Sequence, residues 1–202
     1  MNFLAHIALS GENPEVIMGN FCGDYIKGKL DSEKNSVWPD RFLRGVRLHR
    51  FIDNFTDTDR ALKEMIREIA VFYGRAAPVA ADVCFDHFLA VNFRRFYDAD
   101  LRHYISSFYR LADKYSYLIP PDMHPLASAL VENDWLFKYR EWETVERTLT
   151  SMSRRYSFLS DLSRPPELFR ANRAGYERYF LEFYPRLREA SRLFLEELPE
   201  PD

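Results

Sequence analysis

The chain has 202 residues, a formal net charge of −3 and 47% hydrophobic residues, which indicates a well-packed globular protein. This charge argues against nonspecific nucleic-acid binding, and no apolar run approaches the roughly 18 residues of a membrane span. The N-terminal MNFLAHIALS has no basic segment ahead of its short apolar run, so we expect no signal peptide and a cytoplasmic location. Cys22 and Cys84 are expected to pack as buried thiols rather than to form a disulfide.

Helical signals run through the first half of the chain. Asn13 followed by Pro14 is typical of a helix start, because asparagine caps a helix and proline suits its first turn. Another helix is predicted to begin at Pro39, and its inward face would carry Phe42, Val46, His49 and Asp53. Two more helices are predicted, one capped by Asp57 or Thr58 and ending at residue 73, and one covering about 79–93.

The second half predicts a supporting helical scaffold. Its predicted helices cover residues 101–118, 126–137, 142–156 and 167–198, the last one continuous or broken around Pro185. Residues 164–166 are expected to break the chain, and residues 196–202 to form a frayed tail. The aromatic stripe of the last segment is interpreted as core: Phe169, Tyr176, Phe180, Phe183 and Tyr184. These patterns predict an all-α helical bundle with one domain over residues 1–202.

Histidine and aspartate residues are concentrated among apolar neighbours in the first 90 positions. They are His6, Asp24, His49, Asp53, Asp57, Asp86 and His87. In the densest stretch, LHRFIDNFTD (48–57), His49, Asp53 and Asp57 follow one another at intervals of four. Residues four apart share a helix face, so imidazole and carboxylate groups can converge there on a divalent metal. Such mixed ligand sets suit Mn²⁺, Fe²⁺ or Mg²⁺.

Motifs of other catalytic classes are absent from the sequence. It has no G-x-S-x-G elbow, no glycine-rich phosphate loop and no paired cysteines of a zinc ribbon. A metal held by histidine and carboxylate lowers the pKa of bound water and offsets charge on a phosphoryl oxygen. Metal-assisted hydrolysis of a phosphate ester is therefore the predicted reaction class.

Each candidate also has a purely structural interpretation. His49 fits a core histidine bonded only to Asp53, and Asp57 fits a helix cap. Asp24 fits a cap or the partner of a nearby lysine, and His6 fits a tie between the N-terminus and the core. The metal site is therefore predicted from the combination of these residues rather than from any one of them.

Asp86 and His87 are neighbours whose side chains point about 100° apart on a helix. They need not face the same metal, so one is expected to be a ligand and the other an outer contact or a substrate contact. The remaining histidines, His103 and His124, are interpreted as structural or surface residues.

Arginines cluster in two places. One helical stretch carries Arg41, Arg44, Arg47 and Arg50, and Arg94 and Arg95 follow the segment DHF (86–88). One interpretation is a solvated helix face, which is the usual role of such charges. The other is a surface that binds phosphate or an acidic partner, because the guanidinium fork suits those anions.

Several motifs, in order and spacing over almost the whole chain, resemble the acyl carrier protein phosphodiesterase family. They are NFLAH, GNFCGDYIKG (19–28), GVRLHRFIDNFTDTD (45–59), FDHFLAVNF (85–93), VENDWLFKYR (131–140) and FYPRL (183–187). The resemblance implies a fold distantly related to the HD-type metal phosphohydrolases. It also implies hydrolysis of the 4′-phosphopantetheine group from holo acyl carrier protein, with Mn²⁺ as the cofactor and a place in fatty acid metabolism.

The resemblance also implies roles for individual residues. Asp24, His49, Asp53 and Asp86 become the metal-ligand candidates. His49, Asp53 and His87 become the catalytic candidates, with a histidine protonating the leaving group. His6 and Asp57 become secondary candidates. Some relatives have a second histidine where this chain has Ala8, so a second N-terminal histidine is not expected to be essential.

The acidic carrier protein implied by the resemblance favours the docking interpretation of Arg41, Arg44, Arg47, Arg50, Arg94 and Arg95. On that basis Arg44→Glu is expected to raise KM with little effect on folding. Two alternatives stay open: a phosphohydrolase acting on a nucleotide or another small phosphodiester, and a noncatalytic binding protein whose His/Asp set is a buried polar network.

Overall fold

The computed structural model describes residues 2–164 and 167–199, apart from the side chain of Leu168. Within these ranges the chain forms twelve α-helices and no β-strand, which confirms the predicted all-α class. The helices are α1 (Phe3–Ala8), α2 (Pro14–Phe21), α3 (Asp40–Thr58), α4 (Arg60–Tyr73), α5 (Ala77–Val91), α6 (Phe93–Phe96), α7 (Leu101–Lys114), α8 (His124–Glu132), α9 (Trp135–Lys138), α10 (Trp142–Arg155), α11 (Glu167–Ala171) and α12 (Arg173–Glu197).

Short 3₁₀ helices connect several of these elements. They cover Gly23–Tyr25, Glu33–Asn35, Gly74–Ala76, Ser116–Leu118, Pro121–Met123 and Ser157–Ser163. Among the described residues, none of the helices combines the length and the hydrophobicity that a membrane span requires. Cys22 and Cys84 are free and buried, as predicted.

Helices α2 and α3 pack with their backbones in contact, and this packing positions the candidate site. The predicted start of α2 is confirmed, since the Asn13 side chain accepts hydrogen bonds from two N–H groups of its first turn. A Cβ atom on Gly19 of α2 would lie 1.9 Å from the carbonyl oxygen of Phe42. A Cβ atom on Gly45 of α3 would lie 2.1 Å from the carbonyl oxygen of Val16. Only glycines allow this approach, which brings the end of α2 against the middle of α3.

The long helix α12 supplies much of the core. The predicted aromatic stripe is confirmed, since Phe169, Tyr176, Phe180, Phe183 and Tyr184 are all fully buried. Of the two predicted alternatives, the helix that continues through Pro185 is the one observed, and the segment is interrupted only at Asn172, between α11 and α12. Proline removes one backbone hydrogen bond, but buried side chains on both sides of it hold the helical path.

Three predicted boundaries differ from the structure. Asp59, rather than Asp57 or Thr58, caps α4 by accepting a hydrogen bond from the Leu62 N–H at 3.1 Å. The predicted helix over 126–137 is two helices, separated at Asp134, whose φ of 52° is left-handed. The predicted helix over 101–118 ends at Lys114. Residues 165–166 of the predicted break and residues 200–202 of the predicted tail lie outside the described residues.

Candidate metal centre

Four of the predicted residues converge from three separate elements. Helix α1 carries His6, the 3₁₀ turn after α2 carries Asp24, and α3 carries His49 and Asp53. The Nε2 atoms of His6 and His49 lie 3.3 and 3.2 Å from the two carboxylate oxygens of Asp53. His49 Nε2 also lies 3.4 Å from an Asp24 carboxylate oxygen. The two imidazole rings are stacked, with centroids 4.0 Å apart.

The cluster has a buried side and an open side. The side chains of His6 and His49 are 3% and 6% exposed, whereas those of Asp53 and Asp24 are 40% and 70% exposed. A substrate must therefore approach from the side of the carboxylates.

The geometry and donor chemistry of the cluster fit a divalent cation. One ligand atom each from His6, His49 and Asp53 lies within 4.8 Å of the other two. Ligand atoms at adjacent corners of a polyhedron with bonds of about 2.1 Å are roughly 3.0–3.4 Å apart, which matches the distances above. Both Nε2 atoms are buried and make no well-aligned hydrogen bond within the described part of the chain. Two imidazoles and a carboxylate are also a ligand set that suits Mn²⁺ or Fe²⁺.

The electrostatics of the cluster centre on one proton. Burial lowers the pKa of His49, but the carboxylates of Asp24 and Asp53 outweigh that effect and raise it to about 9. Burial and the neighbouring His49 lower the pKa of His6 to about 4. Burial raises the pKa of Asp53, but His49 and His6 hold it well below its usual range. The adjacent His49 lowers the pKa of Asp24. A proton on His49 thus occupies the place that a metal would take, and metal binding would displace it.

Asp86 lies apart from this cluster and performs a different task. It is fully buried, and its two oxygens accept hydrogen bonds from the backbone N–H groups of Leu4 and Ala5 at 2.9 and 3.0 Å. These N–H groups belong to the first turn of α1, where a carboxylate satisfies unpaired donors and the helix dipole. The structure therefore connects Asp86 to His6 through the backbone of α1, rather than placing it among the ligand atoms.

The other end of α1 is held by tyrosines from α7 and from the residue after α6. The hydroxyl of Tyr97 donates to the carbonyl of Ala8 at 2.9 Å, and that of Tyr104 donates to the carbonyl of Ile7 at 3.1 Å. Because α1 has only six residues, these contacts and Asp86 set its position and with it the position of His6.

Neither His87 nor Asp57 joins the cluster. His87 is fully buried, its Nδ1–H donates to the carbonyl of Tyr139 at 2.6 Å, and its ring packs edge-on against Trp142. Burial lowers the pKa of His87 to about 4, which makes it a poor proton donor. Asp57 is exposed, one turn beyond Asp53 on α3.

The arginines do not form the continuous exposed stripe that the sequence predicts. Arg44 is only 8% exposed, and its guanidinium donates to the carbonyls of Leu195 and Pro199 at the end of α12. The buried position of Arg44 argues against the expectation that Arg44→Glu leaves folding intact, because a buried carboxylate there would face carbonyl oxygens.

The other arginines are on the surface. Arg47 is paired with Asp31 at 2.6 Å, and Arg50 donates to the carbonyls of Ile26 and Gly28. Arg41, Arg94 and Arg95 are exposed.

Two residues of the site escaped the sequence analysis. Asn20 contacts both histidines. The sequence feature that points to it is an uncharged polar residue inside the apolar run VIMGNF. Gly23 lies against His49, and a Cβ atom there would be 2.2 Å from the Cγ atom of that ring. The sequence feature that points to Gly23 is its position directly before the candidate ligand Asp24, although glycines are common in turns of every kind.

Comparison with known proteins identifies the family. A model of the family described as Acyl carrier protein phosphodiesterase matches residues 1–187. The chain belongs to this family. Proteins named acyl carrier protein phosphodiesterase from Photorhabdus laumondii and Klebsiella pneumoniae are 27% and 30% identical to it over 190 and 191 residues. These matches cover 94% and 93% of this chain and 94% and 95% of the relatives.

A third acyl carrier protein phosphodiesterase, from Escherichia coli O157:H7, is 29% identical over 198 residues, which is 95% of this chain and 98% of the relative. No solved structure matches the chain. The predicted likeness to HD-type phosphohydrolases therefore stays a prediction, while the predicted family is confirmed.

Proposed function

We propose that this protein hydrolyses the phosphodiester that joins 4′-phosphopantetheine to the serine of holo acyl carrier protein. The products would be apo acyl carrier protein and 4′-phosphopantetheine. The observation that carries the proposal is the convergence of His6, Asp24, His49 and Asp53 at one open site, inside the region that matches the phosphodiesterase family.

In this proposal His6, His49 and Asp53 hold one divalent cation, with Asp24 as a fourth ligand or an outer partner. We favour Mn²⁺, because a ligand set of imidazole and carboxylate suits it. A cation bound there lowers the pKa of water and offsets negative charge on the phosphoryl oxygens.

Asp24 is well placed to orient the attacking water. Its side chain lies at the solvent side of the cluster, and its lowered pKa keeps it ionised at neutral pH, so it can accept a hydrogen bond from water. His87 is not part of this proposal, because its Nδ1–H is bonded to a carbonyl and the opposite nitrogen is buried.

We further propose that the acidic carrier protein docks on exposed basic residues beside α3. Lys29, Arg47 and Arg50, together with Asp31, line a cavity of about 590 Å³ along another face of α3. Arg41, Arg94 and Arg95 extend this basic character elsewhere on the surface. Opposite charge across such an interface raises the rate of encounter and fixes orientation.

The experiment that tests the function is incubation of the purified protein with holo acyl carrier protein and Mn²⁺, followed by intact mass spectrometry. The carrier protein should lose about 340 Da, the mass of the phosphopantetheine group, and a chelator should abolish the loss. Asp53→Ala should also abolish it, whereas the matched control Asp57→Ala, one turn further along the same helix and exposed, should not.

Other outcomes would redirect the assignment. Retention of the full mass by a protein that binds Mn²⁺ would indicate a small phosphodiester as substrate. Retention of the full mass without metal binding would indicate a noncatalytic polar network.

A further inference from the structure

Asn20 lies fully buried between α1 and α3, and it contacts both histidines of the candidate metal centre, His6 through its side chain and His49 through its backbone. Its Nδ2 atom donates to the carbonyl oxygen of His6 at 2.7 Å and to the hydroxyl oxygen of Ser10 at 2.9 Å. Its Oδ1 atom lies 2.8 Å from His6 Nδ1, and its backbone oxygen lies 2.8 Å from His49 Nδ1.

These contacts decide which ring nitrogen carries the proton. A carbonyl oxygen only accepts hydrogen bonds, so the amide nitrogen of Asn20 must face the His6 carbonyl, and Oδ1 must face His6 Nδ1. Oδ1 also only accepts, so His6 Nδ1 is the donor. By the same reasoning, His49 Nδ1 donates to the backbone oxygen of Asn20.

A neutral imidazole carries a proton on one nitrogen only. With that proton on Nδ1, the Nε2 atom of His6 presents a lone pair, and the Nε2 atom of His49 does so once a metal has displaced its second proton. The two Nε2 atoms are the ones that face the Asp53 carboxylate, 3.3 and 3.2 Å away. Both rings thus present their metal-binding nitrogen to the same carboxylate group.

We propose that Asn20 is a positioning residue that fixes His6 and His49 in the Nδ1–H tautomer for metal binding, an inference that rests on the proposed metal centre. Outer partners of this kind fix the tautomer and orientation of ligating histidines in other metal sites. Here one residue serves both rings, through its side chain for His6 and through its backbone for His49.

This division of labour gives the test an internal control. A substitution of the Asn20 side chain removes the acceptor of His6 but leaves the backbone acceptor of His49 in place. Asn20→Leu is close in size and lacks polar atoms, whereas the protonated form of Asn20→Asp retains an acceptor for His6 Nδ1–H and a donor for the His6 carbonyl.

The measurement is ¹H–¹⁵N correlation of the histidine rings by NMR, first in metal-free protein at pH 8 and then with Zn²⁺ as a diamagnetic probe. We expect His6 to be Nδ1–H in the wild type and in Asn20→Asp, and a mixture of tautomers or Nε2–H in Asn20→Leu. With Zn²⁺, His49 should keep Nδ1–H in every variant, and Asn20→Leu should bind Zn²⁺ about 10–100-fold more weakly than the wild type.

A pure Nδ1–H His6 in Asn20→Leu, or an Nε2–H His6 in the wild type, would overturn the proposal. If Asn20→Leu does not fold, Asn20→Ala carries the same expectation for His6, and a wild-type spectrum from it would overturn the proposal equally. Failure of the wild type to bind Zn²⁺ would instead count against the metal centre, and it is distinguishable because the His6 tautomer is read without metal.

Discussion

Gly23→Ala should disable the site through one added methyl group. The alanine Cβ would lie 2.2 Å from His49 Cγ and 2.6 Å from His49 Cβ and Nδ1. Nonbonded carbon atoms pack at about 3.5–4.0 Å, so the ring must move by roughly 1 Å or more. The carbonyl of Asn20, 2.8 Å from His49 Nδ1, and the nearby carboxylates hold the ring in its present place.

The expected loss of activity follows from these distances. A shift of about 1 Å in a reacting group lowers catalysis by about 100-fold, because near-attack geometry is lost. The same shift breaks the hydrogen bond from His49 Nδ1–H to the Asn20 carbonyl and moves His49 Nε2 away from Asp53. The affinity for the metal should therefore fall as well. Overpacking of a buried contact costs about 1–3 kcal/mol of the free energy of unfolding, which the core of this chain should tolerate.

The assay combines kcat/KM for holo acyl carrier protein, the Kd for Mn²⁺ and urea denaturation on the same preparations. Gly175→Ala is the matched control, since the closest atom to its new Cβ is the end of the Arg178 side chain at 3.9 Å. It should leave activity and Kd unchanged. A folded Gly23→Ala protein with wild-type activity and Kd would refute the argument that His49 must sit where the structure places it.

Three other outcomes are expected. Asp86→Asn leaves one N–H group of α1 without its acceptor, so it should lower the free energy of unfolding by about 1–3 kcal/mol. It should also weaken Mn²⁺ binding, because His6 is on the same helix. Unchanged stability and an unchanged Kd for Mn²⁺ would contradict this prediction. Burial lowers the pKa of His87 from 6.5 to about 4, so the unfolded chain binds a proton there that the folded chain does not. The contribution of His87 to stability should therefore fall as the pH drops below about 6.5. The loss at pH 5 is about 2 kcal/mol, and denaturation of His87→Gln at pH 5 and 7 should show a smaller difference than the wild type does. Arg44→Glu should destabilise the protein by about 2 kcal/mol or more, whereas exposed Arg41→Glu should not, and equal denaturation midpoints would contradict the buried position of Arg44.

Local features of the fold could be predicted from the sequence because they depend on nearby residues. Asn13 and Pro14 define the start of α2 through contacts within one turn. The spacing of His49 and Asp53 places both on one face of α3, whichever elements pack around it. Asp59 shows the limit of such reasoning, since several adjacent polar residues were equally good caps.

The assembly of the site was decided by tertiary structure. Asp24 reaches His49 because glycines let α2 and α3 pack in contact, and His6 reaches it because Asp86 and two tyrosines hold α1 in place. No periodicity in the sequence encodes either contact. Asp86 looked like a ligand, yet its carboxylate holds the backbone of α1, and Arg44 looked like a surface charge, yet it is buried against the end of α12. A carboxylate or a guanidinium has the same chemistry in each of these roles. Its partner is selected by residues far away in the chain, through packing that only the folded structure defines.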